Sequence, residues 1–187
     1  TYSCFRYCPL NMELSMPNLT GAFTGFAGTN ITKIVDLGKA TSIVGSGDSF
    51  HTNDAVHGSC YYLTEVILPD TMTSILGMVD CTALEKVSFN SNVTNIGNNT
   101  FQGCIKLTSI GDMSNVTSIG DSAFYNCNKL TSIGSMNNIT SINNDAFSGC
   151  SSLKYLKIHA TTPPTLGTNV FNHTTFNIYV PDDLVSS

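Results

Sequence analysis

Phe101-Gln-Gly-Cys104-Ile-Lys-Leu107, Phe124-Tyr-Asn-Cys127-Asn-Lys-Leu130 and Phe147-Ser-Gly-Cys150-Ser-Ser-Leu153 are one phrase written three times at a constant interval. A fixed period of this size, with apolar residues at constant offsets, describes a structural unit stacked on copies of itself rather than a chain wrapped around one central core. Stacking places Phe101, Phe124 and Phe147 in one column and Cys104, Cys127 and Cys150 in another.

The frame extends in both directions. Cys81-Thr-Ala-Leu84 precedes Cys104 by the same interval, and Cys60-Tyr-Tyr-Leu63 precedes Cys81 by a slightly shorter one. Downstream, Phe171-Asn-His173-Thr-Thr-Phe176 continues it, with His173 one full interval beyond Cys150 in the place of Cys. Near the start, Ile31-Thr-Lys-Ile34 and Ala40-Thr-Ser-Ile43 reproduce Leu107-Thr-Ser-Ile110 and Val116-Thr-Ser-Ile119, with Gly28 where Cys is expected. About six copies therefore cover residues 22–181, with 48–56 as an insertion. The expected organisation is an N-terminal cap or fragment edge at 1–21 and a solenoid at 22–187, whose last, capping repeat is 160–187.

Within one copy, Leu-Thr-Ser-Ile and Val-Thr-Ser-Ile favour extended backbone, because Val, Ile and Thr are stiff at χ1 and suit a pleated surface. The joins, such as Gly111-Asp-Met-Ser-Asn115 and Gly120-Asp-Ser-Ala123, are turn chemistry. Each copy reads as strand, turn, strand, then a tight turn or a single 3-10 helical turn through Ala-Phe-x-x-Cys. The expected fold is mainly β: a right-handed solenoid of about six 21–23-residue coils with parallel sheets. One coil cannot bury enough apolar surface to offset the ordering of its own backbone, so stability comes from stacking.

Only 11% of the 187 residues are charged, with a net charge of -5 and eight Lys and Arg. No basic stripe exists for phosphate contacts, which argues against nucleic acid as a partner. No apolar run approaches the length of a membrane span, so no membrane insertion is expected of this segment. The chain starts at Thr1 without Met or a signal-like stretch, which reads as a mature form or an excised fragment with any targeting segment outside it.

Val116-Thr-Ser-Ile-Gly-Asp-Ser-Ala-Phe-Tyr-Asn-Cys-Asn-Lys-Leu-Thr-Ser-Ile133 resembles the BspA-like class of leucine-rich repeats, of the type found on bacterial and some protist cell surfaces. The ending Thr162-Pro-Pro-Thr165 through Ile178-Tyr-Val-Pro-Asp-Asp-Leu-Val185 is similar to the last repeat of gut Bacteroidetes and Firmicutes members. The likeness covers roughly residues 22–185. It implies an extracellular or cell-surface setting and a role in adhesion.

Five of the seven cysteines, Cys60, Cys81, Cys104, Cys127 and Cys150, share one repeat position. Parallel side-chain vectors in a stacked column do not offer disulfide geometry, so these read as buried free thiols packing as small hydrophobes. Cys4 and Cys8 lie outside the column, where a local bridge or a capping role is open. Seven Asn-x-Ser/Thr sequons begin at Asn18, Asn30, Asn92, Asn98, Asn115, Asn138 and Asn172. Three share one offset, so the repeat generates sequons by itself, and the chiefly bacterial resemblance gives no reason to expect glycans.

No catalytic motif is present, and neither an enzymatic role nor a cofactor is expected. Asp48-Ser-Phe-His51-Thr-Asn-Asp54-Ala-Val-His57-Gly-Ser-Cys60 could offer His51 and His57 to a divalent ion. The plainer reading makes Asp48 and Asp54 turn residues, Cys60 a member of the column, and His57 the occupant of the Phe slot, so no metal is expected. The candidate binding surface is the solvent face of the strand after each Cys. Lys33, Glu65, Lys86, Ser109, Ser132 and Tyr155 form one row of it, beside Val35, Ile67, Ser88, Gly111, Gly134 and Lys157. At Ile110-Gly-Asp-Met113 and Ile133-Gly-Ser-Met136 the spacing predicts a bulge that returns Met to the core and shifts the outward row. Three roles fit this reading. A surface or secreted module could use the face to adhere to a protein or polysaccharide. The segment could instead be a spacer in a larger surface protein, or a phage tail-fibre recognition module.

Overall fold

The computed structural model describes residues 12–23, 31–43, 61–174 and 177–179. Cys4, Cys8, Gly28, the 48–56 insertion, His51, His57 and Cys60 lie outside the described residues. Among those described there are fourteen short β-strands, every pairing between them parallel, and no helix. The fold is mainly β, a β-solenoid of about six turns, as the repeat predicts.

Each coil has three sides. The first, the front, carries β1 (Met12–Ser15), β3 (Ile31–Asp36), β5 (Glu65–Ile67) and β7 (Lys86–Ser88) in that order, with Ser109 bridged to Lys86. A separate front sheet follows, made of β10 (Ser135–Met136), β12 (Tyr155–Ile158) and β14 (Asn177–Tyr179). The back carries β2 (Thr20–Phe23) with β4 (Lys39–Ile43), and then β6 (Ser74–Ile75), β8 (Asn95–Ile96), β9 (Ser118–Ile119), β11 (Ser141–Ile142) and β13 (Thr165–Leu166) in one five-stranded sheet. From residue 12 onward, the segment read as a cap supplies a strand to the front and begins one on the back. The third side is built of tight turns through Phe-x-x-Cys.

The core is the set of columns that stacking creates. The rings of Phe101 and Phe124 stack at 5.3 Å, Phe124 and Phe147 at 5.1 Å, and Phe147 and Phe171 at 5.9 Å. Cys104, Cys127 and Cys150 are fully buried, as are Ile96, Ile119 and Ile142 behind them. Burying each large apolar side chain contributes about 1.5–3 kcal/mol, but only when a neighbouring coil covers it. Polar columns join the coils as well. On the back, the Thr117 hydroxyl donates to the Thr94 carbonyl at 3.0 Å and the Thr140 hydroxyl to the Thr117 carbonyl at 2.8 Å. At the adjoining turn, Asn115 Nδ2 donates to the Ser91 carbonyl at 2.9 Å and Asn138 Nδ2 to the Ser114 carbonyl at 3.0 Å.

One assignment needs correction. Asp80, Gly103, Asn126, Gly149 and His173 all have φ between 52° and 77° and form a single left-handed turn column. Gly, Asn and Asp suit that conformation, since Gly lacks the Cβ that clashes there and short polar side chains bond locally. His173 therefore occupies the turn position and not the Cys position. The residue in the Cys position is Thr174, whose amide donates to the Phe171 carbonyl at 3.2 Å just as the Cys150 amide donates to Phe147 at 3.1 Å. The cause is a single insertion in the last coil: Ser141 pairs with Thr165, one position further along the chain than the step from Ser118 to Ser141 would place it.

Candidate functional site

The outward row on the front face follows from strand register. Lys33 pairs with Glu65, Glu65 with Lys86, and Lys86 with Ser109, so their side chains stand side by side on successive coils. Glu13 precedes them opposite Lys33. This puts alternating charges in line. Lys33 Nζ lies 2.9 Å from one Glu65 carboxylate oxygen, and Lys86 Nζ lies 3.5 Å from the other. The hydrogen bond from Lys33 holds the Glu65 carboxyl below its ordinary 4.5, while the same bond raises Lys33 above 10.5. Three of the candidate residues therefore bind one another.

The C-terminal half of the face has a different chemistry. The Lys154 amide donates to the Thr131 carbonyl at 3.1 Å, which sets Ser132 beside Tyr155. Tyr155 is 39% exposed, and Lys157, two residues along the same strand, holds its ammonium 5.4 Å from the ring centroid. A cation so placed is attracted by the ring quadrupole and limits the rotamers of both side chains. In the neighbouring row Ile67 pairs with Ser88 and remains 37% exposed, whereas Val35 is half-buried.

The expected bulges are present. Met113 and Met136 are buried, although strict alternation from Ile110 and Ile133 would turn them outward. Lys157 consequently pairs with Ser135 and not with Gly134, which corrects the outward row by one residue at this coil. Gly134 adopts φ +44° and faces open space, a backbone state other residues rarely enter. Gly111 lies so close to Phe89 that a Cβ there would sit 2.5 Å from the Phe89 backbone nitrogen.

The described cysteines of the column are buried, which disfavours their reactive form. Cys81, Cys104, Cys127 and Cys150 are buried thiols, none of them in a disulfide. Burial pushes the Cys104 and Cys127 thiols well up and Cys150 to about 12, so the nucleophilic thiolate is suppressed in each. These thiols do more than fill space. Sγ of Cys104 donates to the Met78 carbonyl at 3.0 Å, Cys127 to Phe101 at 3.1 Å and Cys150 to Phe124 at 3.0 Å. Each adds a donor to a carbonyl of the preceding coil at the turn; those of Phe101 and Phe124 also accept from the Cys104 and Cys127 amides at 3.0 Å.

Among the described residues, no group of three His, Cys, Asp or Glu side chains is placed to hold a metal ion. In the same residues no helix is long and apolar enough to cross a membrane.

Residues 51–177 match the family model described as the BspA type leucine rich repeat region, in six copies. The chain belongs to the BspA-type leucine-rich repeat family. Three solved structures are similar to this BspA-type chain. A leucine rich cell surface protein from Faecalibacterium prausnitzii is 24% identical over 74% of this chain and 47% of its own, with a TM-score of 0.46. The leucine rich repeat protein of T. pallidum is 20% identical over 87% of this chain and 79% of its own, with a TM-score of 0.49. The pneumococcal vaccine antigen PcpA is 17% identical over 93% of this chain and 44% of its own, with a TM-score of 0.47. This chain thus spans about half the length of the first and third. No curated protein matches it.

Three features of this BspA-type solenoid were present in the sequence but not read from it. Opposite charges at Lys33, Glu65 and Lys86 stand in a row already predicted, and opposite charges on adjacent strands attract. Thr73, Thr94, Thr117 and Thr140, each just before a back strand, mark the hydroxyl column. The thiol hydrogen bonds had the weakest signal, the persistence of Cys at a site where Val or Ala would also fit.

Proposed function

We propose that this segment is a non-enzymatic binding module of a secreted or cell-surface protein, engaging a protein or polysaccharide through the front face. Its contacts centre on Ser132, Tyr155 and Lys157. The observation that carries this reading is the division of the face. Lys33, Glu65 and Lys86 are occupied by their own ion pairs, whereas Tyr155 is exposed and aligned with Lys157. A rigid aromatic with a polar tip beside a cation is a favoured anchor, since it covers area at low entropy cost. The surface setting is what the BspA-type resemblance implies.

The test is an array of matrix proteins and glycans probed with the isolated chain. Binding by the wild type should weaken about tenfold or more in the Tyr155→Ala, Lys157→Ala double variant, the scale of a lost anchor. Ser118→Ala on the back should bind as wild type. A blank array would favour the spacer role, and equal loss from the back-face variant would remove the front face from consideration.

A further inference from the structure

At the middle of the molecule two adjacent coils are joined on only two of their three sides. Among the described residues, no backbone hydrogen bond links 108–113 to 130–136, and the front sheet ends on either side of this junction. The neighbouring front junctions are closed. The Thr64 amide reaches the Thr32 carbonyl at 2.8 Å, Glu85 reaches Thr64 at 2.8 Å, Thr108 reaches Glu85 at 3.0 Å and Lys154 reaches Thr131 at 3.1 Å.

The same two coils are firmly joined elsewhere. On the back, the Thr140 amide donates to Thr117 at 2.8 Å and Asn143 to Ile119 at 2.9 Å. On the third side the Phe124 amide donates to Ala146 at 2.8 Å, and the rings of Phe124 and Phe147 stack at 5.1 Å. The open side coincides with a departure in the sequence. These two coils carry the glycine bulges, and a bulge bends and twists its strand, leaving a residue unpaired. Ile110 registers the misfit. It is only partly buried, while Val66, Val87, Ile133 and Leu156 in its column are at most 1% exposed. An inserted strand could not close the gap, because coils stacked about 4.8 Å apart leave no room for one.

We propose that the solenoid flexes at this seam, the front opening and closing about the back sheet as its axis. A segment held by few backbone hydrogen bonds opens at low free energy without global unfolding. The motion changes the separation between the charge-paired row at Lys33, Glu65 and Lys86 and the Ser132, Tyr155 and Lys157 cluster. The front face then has an adjustable curvature, whichever ligand it meets.

Spin-label distances test this directly. Labels are carried on non-natural residues, which spare the cysteines, at positions 86 and 155 on the front and, in a second sample, at 95 and 165 on the back. Both pairs span the same coils. The front distance distribution should be at least about twice as wide as the back one, as expected for a hinge motion. Deleting Gly111 and Gly134 together, which restores the spacing of Val66-Ile67-Leu68, should narrow it. A front distribution as narrow as the back in the undeleted chain overturns the proposal, and that comparison decides even if the deletion variant does not fold.

Discussion

The back sheet and the front sheet are made by the same coils, yet one is continuous from β6 to β13 and the other is split between Ser109 and β10. On the back, the coils at Ser74, Asn95, Ser118 and Ser141 offer the same geometry, a Thr, a small polar residue and an apolar one, and Pro164-Thr165-Leu166 continues it with the Thr165 amide and hydroxyl donating to the Thr140 carbonyl, so each hydrogen bond finds its partner directly above or below. On the front, the coils differ in length. Val66-Ile67-Leu68 and Val87-Ser88-Phe89 reach the core in two steps from the first apolar residue, while Ile110-Gly-Asp-Met113 and Ile133-Gly-Ser-Met136 need three. The junctions between unlike coils, at Lys86 with Ser109 and at Ser135 with Lys157, keep their pairing, and the ladder is lost where the two coils that take the extra step meet, with the core beneath them still buried.

The largest effect should come from the columns that both sheets share. Phe124→Ala removes the ring that stacks on two others, and should cost about 3–5 kcal/mol in chemical denaturation. A much smaller loss would mean that the sheets, not the ring column, hold the coils together. Next is Cys127→Ala, which leaves the Phe101 carbonyl without its thiol donor at the buried turn. Because that carbonyl still accepts from the Cys104 amide at 3.0 Å, the loss should be about 1 kcal/mol. Cys127→Ser, which keeps a donor, should recover part of that loss if the hydrogen bond matters.

A sharper contrast between the two faces comes from hydroxyl deletions. Thr117→Val on the back removes a bond to Thr94, and should lose about 1 kcal/mol. Ser109→Ala on the front has no side-chain bond among the described residues to lose and should stay within about 0.5 kcal/mol of wild type. Equal losses would erase the distinction. The smallest effect belongs to Glu65→Gln, since exposed ion pairs contribute little and salt screens them. Its signature is pH dependence. Because the Glu65 carboxyl is depressed in the folded chain, its contribution is present above the ordinary 4.5 and fades as pH falls through the lower folded value. Lys33 is raised, so its contribution persists below 10.5 and fades only as pH rises through the higher folded value. The wild-type minus Glu65→Gln stability difference should shrink at both extremes and in high salt.

The period, the Phe and Cys columns and the outward row can all be read from sequence because each depends on position alone. Constant offsets convert directly into register when coils are identical. What escapes depends on small departures from identity. His173 looks like a Cys substitute because a fixed count ignores the insertion before Thr165. The bulges at Gly111 and Gly134 are legible from the delayed Met, but the loss of pairing between the two bulged strands is not, since it arises only where both meet. Lys33, Glu65 and Lys86 are candidates for binding on the outward row alone, and what that row leaves out is their attraction to one another.

Hydrogen exchange across the intact chain is the most direct test of the two-sheet account. Amides of Thr140 and Asn143 on the back, and of Thr108 and Lys154 on the front, should be protected, while those of 131–135 should exchange at least about a hundredfold faster. Uniform protection of the front from Lys86 through Lys157 would contradict the account, for it would mean the front ladder is as continuous as the back.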